Sequence, residues 1–265
     1  MKIFVSSDME GTAGVCHWDE VSKGQDLYEH FARQMSREVA AACEGALAAG
    51  ADEILVKDAH DSARNINPEM LPRQARIFRE WGRHPYSMMA GLDSSFDGVI
   101  FTGYHSAAEM DTNPLSHTMN TRNNYVKING ELCPELMLNS LTAAYLDVPV
   151  YCVTGDKGLC DWMKAHCPGT TVVPVSEGCA AGSISIHPDL AVSRIREAAE
   201  SAFKADKASC MFPLPKHFTV EISFKDHFKA AGAKWYPGCV QTGARTVAFE
   251  ADDYMDVLKF IYWVL

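Results

Sequence analysis

Residues 2–11 read KIFVSSDMEG. The apolar run Ile3-Phe4-Val5 has the composition of a buried strand. It stops on two acids, Asp8 and Glu10, with Gly11 behind them. Residues i and i+2 of a strand point to one face, so the two carboxylates are expected side by side. Placed so, they repel, and one is driven toward protonation unless something compensates. Three remedies are open: a nearby Arg or Lys, a shared proton, or a metal cation. The plainer reading is a solvated loop, or a carboxylate that caps the following turn.

Outward from this run the pattern repeats. EILVKD (53–58), ARIF (75–78), GVIFTG (98–103), VPVYCVTG (148–155) and TTVVPV (170–175) are further apolar strands. Helical patterns lie between them. In 24–49, Leu27, Phe31, Met35, Val39, Cys43 and Leu47 recur near helical spacing and Gly50 is a stop. SMMAGL (87–92), PELMLNSLTAAYL (134–146) and 156–166 are also read as helix, with Pro134 suited to a first helical position. Asn129-Gly130 marks a hairpin within 124–132. Strands alternating with helices predict an α/β fold, a mostly parallel sheet flanked by helices. After EGCAAGS (177–183) the texture changes. A helix over 188–204 is followed by the alternating strand HFTVEISF (217–224), the helix KDHFKAAGA, a strand over 242–251 and a terminal amphipathic helix over 252–265. The expected organisation is an α/β catalytic region over 1–180 and a smaller C-terminal α+β region over 181–265.

The net charge of −10, from 24 basic and 34 acidic residues, disfavours nucleic acid or an anionic membrane as partner. No apolar stretch reaches the roughly 18 residues of a transmembrane helix, and the first residues lack the features of a secretory signal. Nine cysteines without a C-x-x-C pair suggest neither a thiolate zinc site nor a disulfide framework. The reading is a cytoplasmic protein.

Three histidines fall just past strand ends: His60 in VKDAHD, His105 in VIFTGYH and His117 in PLSHTM. In an open α/β sheet, ligands bind outside the carboxyl ends of the strands. Asp8, Glu10, His60 and His105 come from three such ends. Any one of these histidines alone reads as structural; together with the acids they offer the mixed oxygen and nitrogen donors that Zn²⁺, Mn²⁺ or Co²⁺ accept. Glu135 opens a predicted helix, where the macrodipole favours an anion, and its plainer role is to stabilise that helix end. Its competitor Glu131 stands beside the hairpin turn and reads as exposed. Asp58 either orients His60 or is a solvated turn residue.

SSDMEGTAGV (6–15), VKDAHDSARN (56–65), FTGYHS (101–106), SHTMN (116–120) and CPELMLNSLTAAYLDVPV (133–150), in this order, resemble the zinc-dependent D-aminopeptidase family of the DppA type. AKWYPGCVQTGARTVAFEA (233–251) resembles its C-terminal part. The resemblance implies an aminopeptidase with two Zn²⁺ per chain, cleaving the N-terminal residue from short, D-amino-acid-containing peptides through a metal-activated water. Carried over by motif, Asp8 bridges both metals, Glu10, His60, His105 and Glu135 complete the ligands, and His117 is catalytic. Whether His117 acts as acid/base, oxyanion stabiliser or nucleophile stays open. The resemblance also implies a ring-shaped homo-oligomer. Cys133-Pro134 departs from the family, where a glycine is usual before the glutamate. The residues alone leave other classes open: a metal-dependent amidase, a phosphohydrolase (although GTAG at 11–14 lacks the Lys and spacing of a phosphate loop), or a non-enzymatic α/β binding module.

Overall fold

The computed structural model describes every residue from Met1 to Leu265. Twelve strands form: β1 (Lys2–Ser7), β2 (Glu53–Asp58), β3 (Ala75–Phe78), β4 (Gly98–Tyr104), β5 (Asn123–Ile128), β6 (Glu131–Leu132), β7 (Val150–Asp156), β8 (Thr171–Cys179), β9 (Gly182–Ser185), β10 (Phe218–Phe224), β11 (Val240–Gln241) and β12 (Thr246–Ala251). The helices are α1 (Trp18–Val21), α2 (Tyr28–Ala48), α3 (Glu135–Tyr145), α4 (Lys157–His166), α5 (Pro188–Ala202), α6 (His227–Ala233) and α7 (Tyr254–Val264).

The main sheet has the order β3-β2-β1-β4-β7-β8-β9. All its pairings are parallel except β8 with β9, which closes one edge as a hairpin. A second sheet, β11-β12-β10-β5-β6, is antiparallel throughout. The fold is thus α/β with a mostly parallel sheet and a smaller antiparallel sheet and helix region. The second sheet combines C-terminal strands with the β5–β6 hairpin, whose turn residues Asn129 and Gly130 both take positive φ (52° and 84°), as a type I′ turn requires. The change of texture near residue 180 falls in the β8–β9 hairpin.

Alternation along the strands builds two cores. Ile3 and Val5 of β1 face one side of the sheet and pack with Met35, Val39 and Cys43 of α2 and Ile195 and Ala199 of α5. Phe4 faces the other side, where Leu136 and Leu141 of α3, Val220 and Ile222 of β10, and Phe260 of α7 form one continuous cluster. The main sheet is therefore covered on both faces, and its interior strands β1 and β4 are buried along nearly their whole length.

Three expected elements differ in detail. The helix read from residue 24 begins at Tyr28, because Gly24 takes φ +96° in a preceding turn. SMMAGL forms only a single 3₁₀ turn, Ser87–Met89, because positive φ at Ser87, its first residue, and at Gly91, two residues past it, breaks the helical run. Pro134 is the extended N-cap of α3 (ψ 157°) rather than its first helical residue, which makes Glu135 the first.

The strand order reverses at β1: the chain moves to β2 on one side and β4 on the other. The loops after β1 and β4 flank the crevice that such a switch point creates. There the backbones meet at the Tyr104 carbonyl. A Cβ on Gly11 would lie 1.9 Å from that oxygen, and one on Gly155 would lie 2.0 Å from it. Gly11→Ala must push the loop carrying Asp8 and Glu10 off the end of β4. We expect a loss of about 3 kcal/mol, the upper range for overpacking, measured as a lowered denaturation midpoint.

Candidate metal centre

Asp8 and Glu10 do converge, but not through strand alternation. β1 ends at Ser7. Asp8 N donates to Thr102 O (2.8 Å) as the last ladder step, and Gly11 N then returns to Gly103 O (2.8 Å). This turn folds both carboxylates over the end of the sheet, while Met9 between them points into the core. Asp8, Glu10 and Glu135 are all buried.

Three imidazoles meet these carboxylates, and each is held in the same way. His60 Nε2 donates to Val21 O (2.7 Å), His105 Nδ1 to Ser106 O (2.9 Å), and His117 Nδ1 to Leu115 O (2.8 Å). A carbonyl can only accept, so one ring nitrogen of each is committed as a donor and the other is turned inward. His60 Nδ1 lies 3.2 Å from Asp8 Oδ1 and 3.0 Å from Glu10 Oε2. His105 Nε2 lies 3.4 Å from Asp8 Oδ2 and 3.7 Å from Glu135 Oε2. His117 Nε2 lies 3.6 Å from Glu135 Oε1 and 4.0 Å from Glu10 Oε1. The rings of His105 and His117 stack at 4.2 Å, and Trp18 meets His117 edge-on.

The donor set suits divalent cations. Asp8 Oδ2, Glu10 Oε2 and His105 Nε2 are buried, face the same space, and make no hydrogen bond. Ligand-type atoms of Asp8, Glu10 and His105 lie within 4.8 Å of one another, as do those of His105, His117 and Glu135. Carboxylate oxygen and imidazole nitrogen, oriented by outer hydrogen bonds, are what such an ion requires.

Charge in the cluster is strongly coupled. Burial and the neighbouring Glu10 charge raise the Asp8 carboxyl above its usual range. Burial opposes ionisation of Glu10, but the imidazoles, His60 first, outweigh it and hold the group well below its usual range. Burial likewise opposes charging of His60 and His105. Glu10 beside the former and Glu135 beside the latter, each aided by Asp8, keep both imidazoles well above theirs. The inward nitrogens of His60 and His105 therefore favour a positive partner, whether a proton or a metal.

The chain matches the D-aminopeptidase peptidase family over residues 1–263. The chain belongs to that family. It is 31% identical to a D-aminopeptidase of Bacillus subtilis (strain 168) over 262 residues, 98% of this chain and 94% of the relative. Its fold superposes on the Zn-dependent D-aminopeptidase DppA from Bacillus subtilis, described as a self-compartmentalizing protease, with a TM-score of 0.92. That match covers 100% of this chain and 96% of the other, at 29% identity.

Two further acids stand apart from the cluster. Asp58 is fully buried, and its carboxylate accepts from Ile66 N (2.8 Å) and from the backbone and side-chain nitrogens of Asn65. Asn65 Nδ2 also donates to His60 O (2.6 Å). Asp58 thus holds the loop that carries His60 and does not touch the imidazole. Glu131 is half-buried and bound to Trp162 Nε1 (2.7 Å) and His166, away from the cluster.

Residues that motif reading missed complete the site. Trp18, Trp81, Met88 and Met119 line a cleft of about 350 Å³ whose floor includes Asp8, Glu10, His60, His117 and Glu135. Buried Asp156, the last residue of β7 and the N-cap of α4, accepts from Ser106 N (2.7 Å), Ser106 Oγ (2.6 Å), Asn113 Nδ2 (3.2 Å) and Leu159 N (2.8 Å). Asn113 in turn donates to Glu10 O (3.3 Å) and accepts from Leu115 N (2.8 Å). One carboxylate therefore ties the loop from His105 to His117 to the sheet. Asp156→Ala strands several buried donors, and we expect it to cost about 3 kcal/mol in chemical denaturation. Asp161→Ala, on the exposed side of α4, serves as control and should leave the midpoint unchanged.

Proposed function

We propose that this chain is a dinuclear zinc aminopeptidase that removes the N-terminal residue from short peptides containing D-amino acids. The observation that carries the proposal is the shared orientation of the three imidazoles. Each gives one nitrogen to a backbone carbonyl and turns the other onto two of the three buried carboxylates. Family membership supplies the reaction class, and the zinc-dependent relative supplies the metal.

We assign Asp8, Glu10, His60, His105 and Glu135 as ligands. Asp8 is suited to bridge two ions, because its Oδ1 faces His60 and its Oδ2 faces His105. Mn²⁺ or Co²⁺ would accept the same donors. When bound, the two zinc ions supply Lewis acidity toward the scissile carbonyl and lower the pKa of water. A free α-amine is a donor that a bound ion would also accept, which favours an exopeptidase. His117 is the most accessible of the three imidazoles, with its side chain 13% exposed. Its bond to Leu115 O leaves Nε2 free to take up a proton and return it to the leaving amine, and the rings of His105 and Trp18 fix its plane.

By the same kinship we assign a homo-oligomer that encloses the sites. Trp235 (81% exposed) and Trp263 (72%) offer apolar surface for subunit contacts. No helix is long and apolar enough to cross a membrane. The nine cysteines are all free thiols, six of them buried, which supports a reducing cytoplasmic compartment.

One observation favours a second role for His117. Its Nε2 falls within ligand distance of the His105–Glu135 pair. Substitution separates the two roles. Asp8→Asn should reduce zinc content at both positions, since an amide has one carbonyl oxygen and no charge. His117→Ala should keep two zinc ions and lose at least about 10²-fold in kcat, within the range for a lost proton-transfer group. Elemental analysis with steady-state kinetics measures both. A His117→Ala protein that lacks zinc makes His117 a ligand.

The substrate reading is tested with a panel of free and N-acetylated dipeptides in both enantiomeric series. D-residue peptides with a free amine should be cleaved, and acetylation should lower kcat/KM at least tenfold. Equal rates on free and acetylated peptides contradict an aminopeptidase.

A further inference from the structure

Lys57 is an unusual residue to find on a central strand. It is 0% exposed, and no carboxylate pairs with it. Its ammonium donates to Asp58 O (2.6 Å) and Glu80 O (3.0 Å). It also lies over the rings of Phe78 (5.0 Å) and Trp81 (4.7 Å). Burial lowers its pKa to about 8. A buried lysine without an anion is costly, so the contacts that hold it must be made together.

Those contacts converge on Trp81. The indole N–H is committed to Asp61 O (2.8 Å), on the loop that carries His60. Glu80 N donates to Ala63 O (2.8 Å) on the same loop, with Glu80 itself at φ +68°. The ring is thus fixed by its own donor, by the ammonium above it and by the segment stapled beneath. Its remaining surface lines the cleft with Trp18, Met88 and Met119, over the acidic floor. A rigid aromatic wall beside a centre whose ions would accept a free α-amine suits one kind of ligand: an α-amino compound with a bulky apolar side chain.

We infer that Trp81 is a specificity-determining residue, held in place by Lys57 as a positioning residue, and that the cleft selects peptides whose N-terminal residue carries a large apolar side chain over those beginning with alanine. The inference rests on the aminopeptidase reading for the reaction and on the cleft alone for the preference. It extends the site from the metal centre to the wall that grips the substrate. Trp81 does so through apolar contact, since its only polar atom is already bonded.

The test uses the zinc-loaded full chain, with D-alanyl, D-leucyl and D-phenylalanyl peptides sharing one second residue, and L-enantiomers as controls. Calorimetric binding of free phenylalanine and alanine provides a readout independent of turnover. The wild type should favour phenylalanyl over alanyl peptides about tenfold or more in kcat/KM, within the range that apolar pockets discriminate. Trp81→Ala should bring that ratio close to one. Lys57→Met should lower it part of the way, and binding should follow the same order. The inference is overturned if the wild type prefers alanyl peptides, or if Trp81→Ala lowers both series equally; the aminopeptidase reading then stands. If no peptide is cleaved but phenylalanine still binds more tightly than alanine in a Trp81-dependent way, the reading of the reaction fails and the apolar wall is upheld.

Discussion

Three carboxylates buried within a few ångströms of one another, with no lysine or arginine among them, set the terms for the rest of this structure. The ion-pair partners of Asp8, Glu10 and Glu135 are three histidines. An imidazole can answer an acid with a proton or yield its lone pair to a metal, and it is preset for the second when its other nitrogen carries the proton and donates it elsewhere. Carbonyls of Val21, Ser106 and Leu115 meet that condition for each ring. Removing one partner from a buried charge cluster typically costs 3–5 kcal/mol, about the scale of a domain's whole stability margin. Compensation of these charges is therefore a condition for the fold as well as for the chemistry.

The scaffold answers that demand by bringing distant backbone segments together at one switch point. Asp8 and Glu10 follow β1, His60 follows β2 and His105 follows β4. His117 and Glu135 belong to the long excursion between β4 and β7, which also builds the β5–β6 hairpin of the second sheet. Glycines let the strand ends close on the Tyr104 carbonyl. Asp156 then binds the excursion back to the sheet through Ser106 and Asn113. The antiparallel sheet and α7 pack over α3 and so support Glu135 from behind.

Much of this was legible in the sequence, because apolar runs and their spacing report burial directly. The parallel sheet, the Asn129-Gly130 hairpin and the terminal helix follow from patterns of a few residues. The residues proposed for the metal centre could be listed because acids and histidines at strand ends are rare enough to notice together. Other features had no local signal. Asp8 and Glu10 converge through a turn whose path depends on Thr102 and Gly103 of β4, which only pairing reveals. Asp58 reads like any acid after a strand, and its role depends on the backbone of Asn65 and Ile66. Asp156 and Asn113 stand just outside the motif blocks, and Lys57, although inside VKDAHDSARN, and Trp81 carry no spacing that marks their roles. Their functions arise from tertiary contacts between residues with no sequence relation.

The central claim is that paired cations balance the buried carboxylates and make the centre active. Titration of chelator-treated protein with zinc tests it most directly, following the unfolding temperature and dipeptide hydrolysis in the same samples. Both signals should rise together and saturate at two zinc ions per chain, because each ion relieves repulsion and completes the same site. Saturation at one ion or none, or hydrolysis that persists unchanged in the chelated protein, would contradict the account.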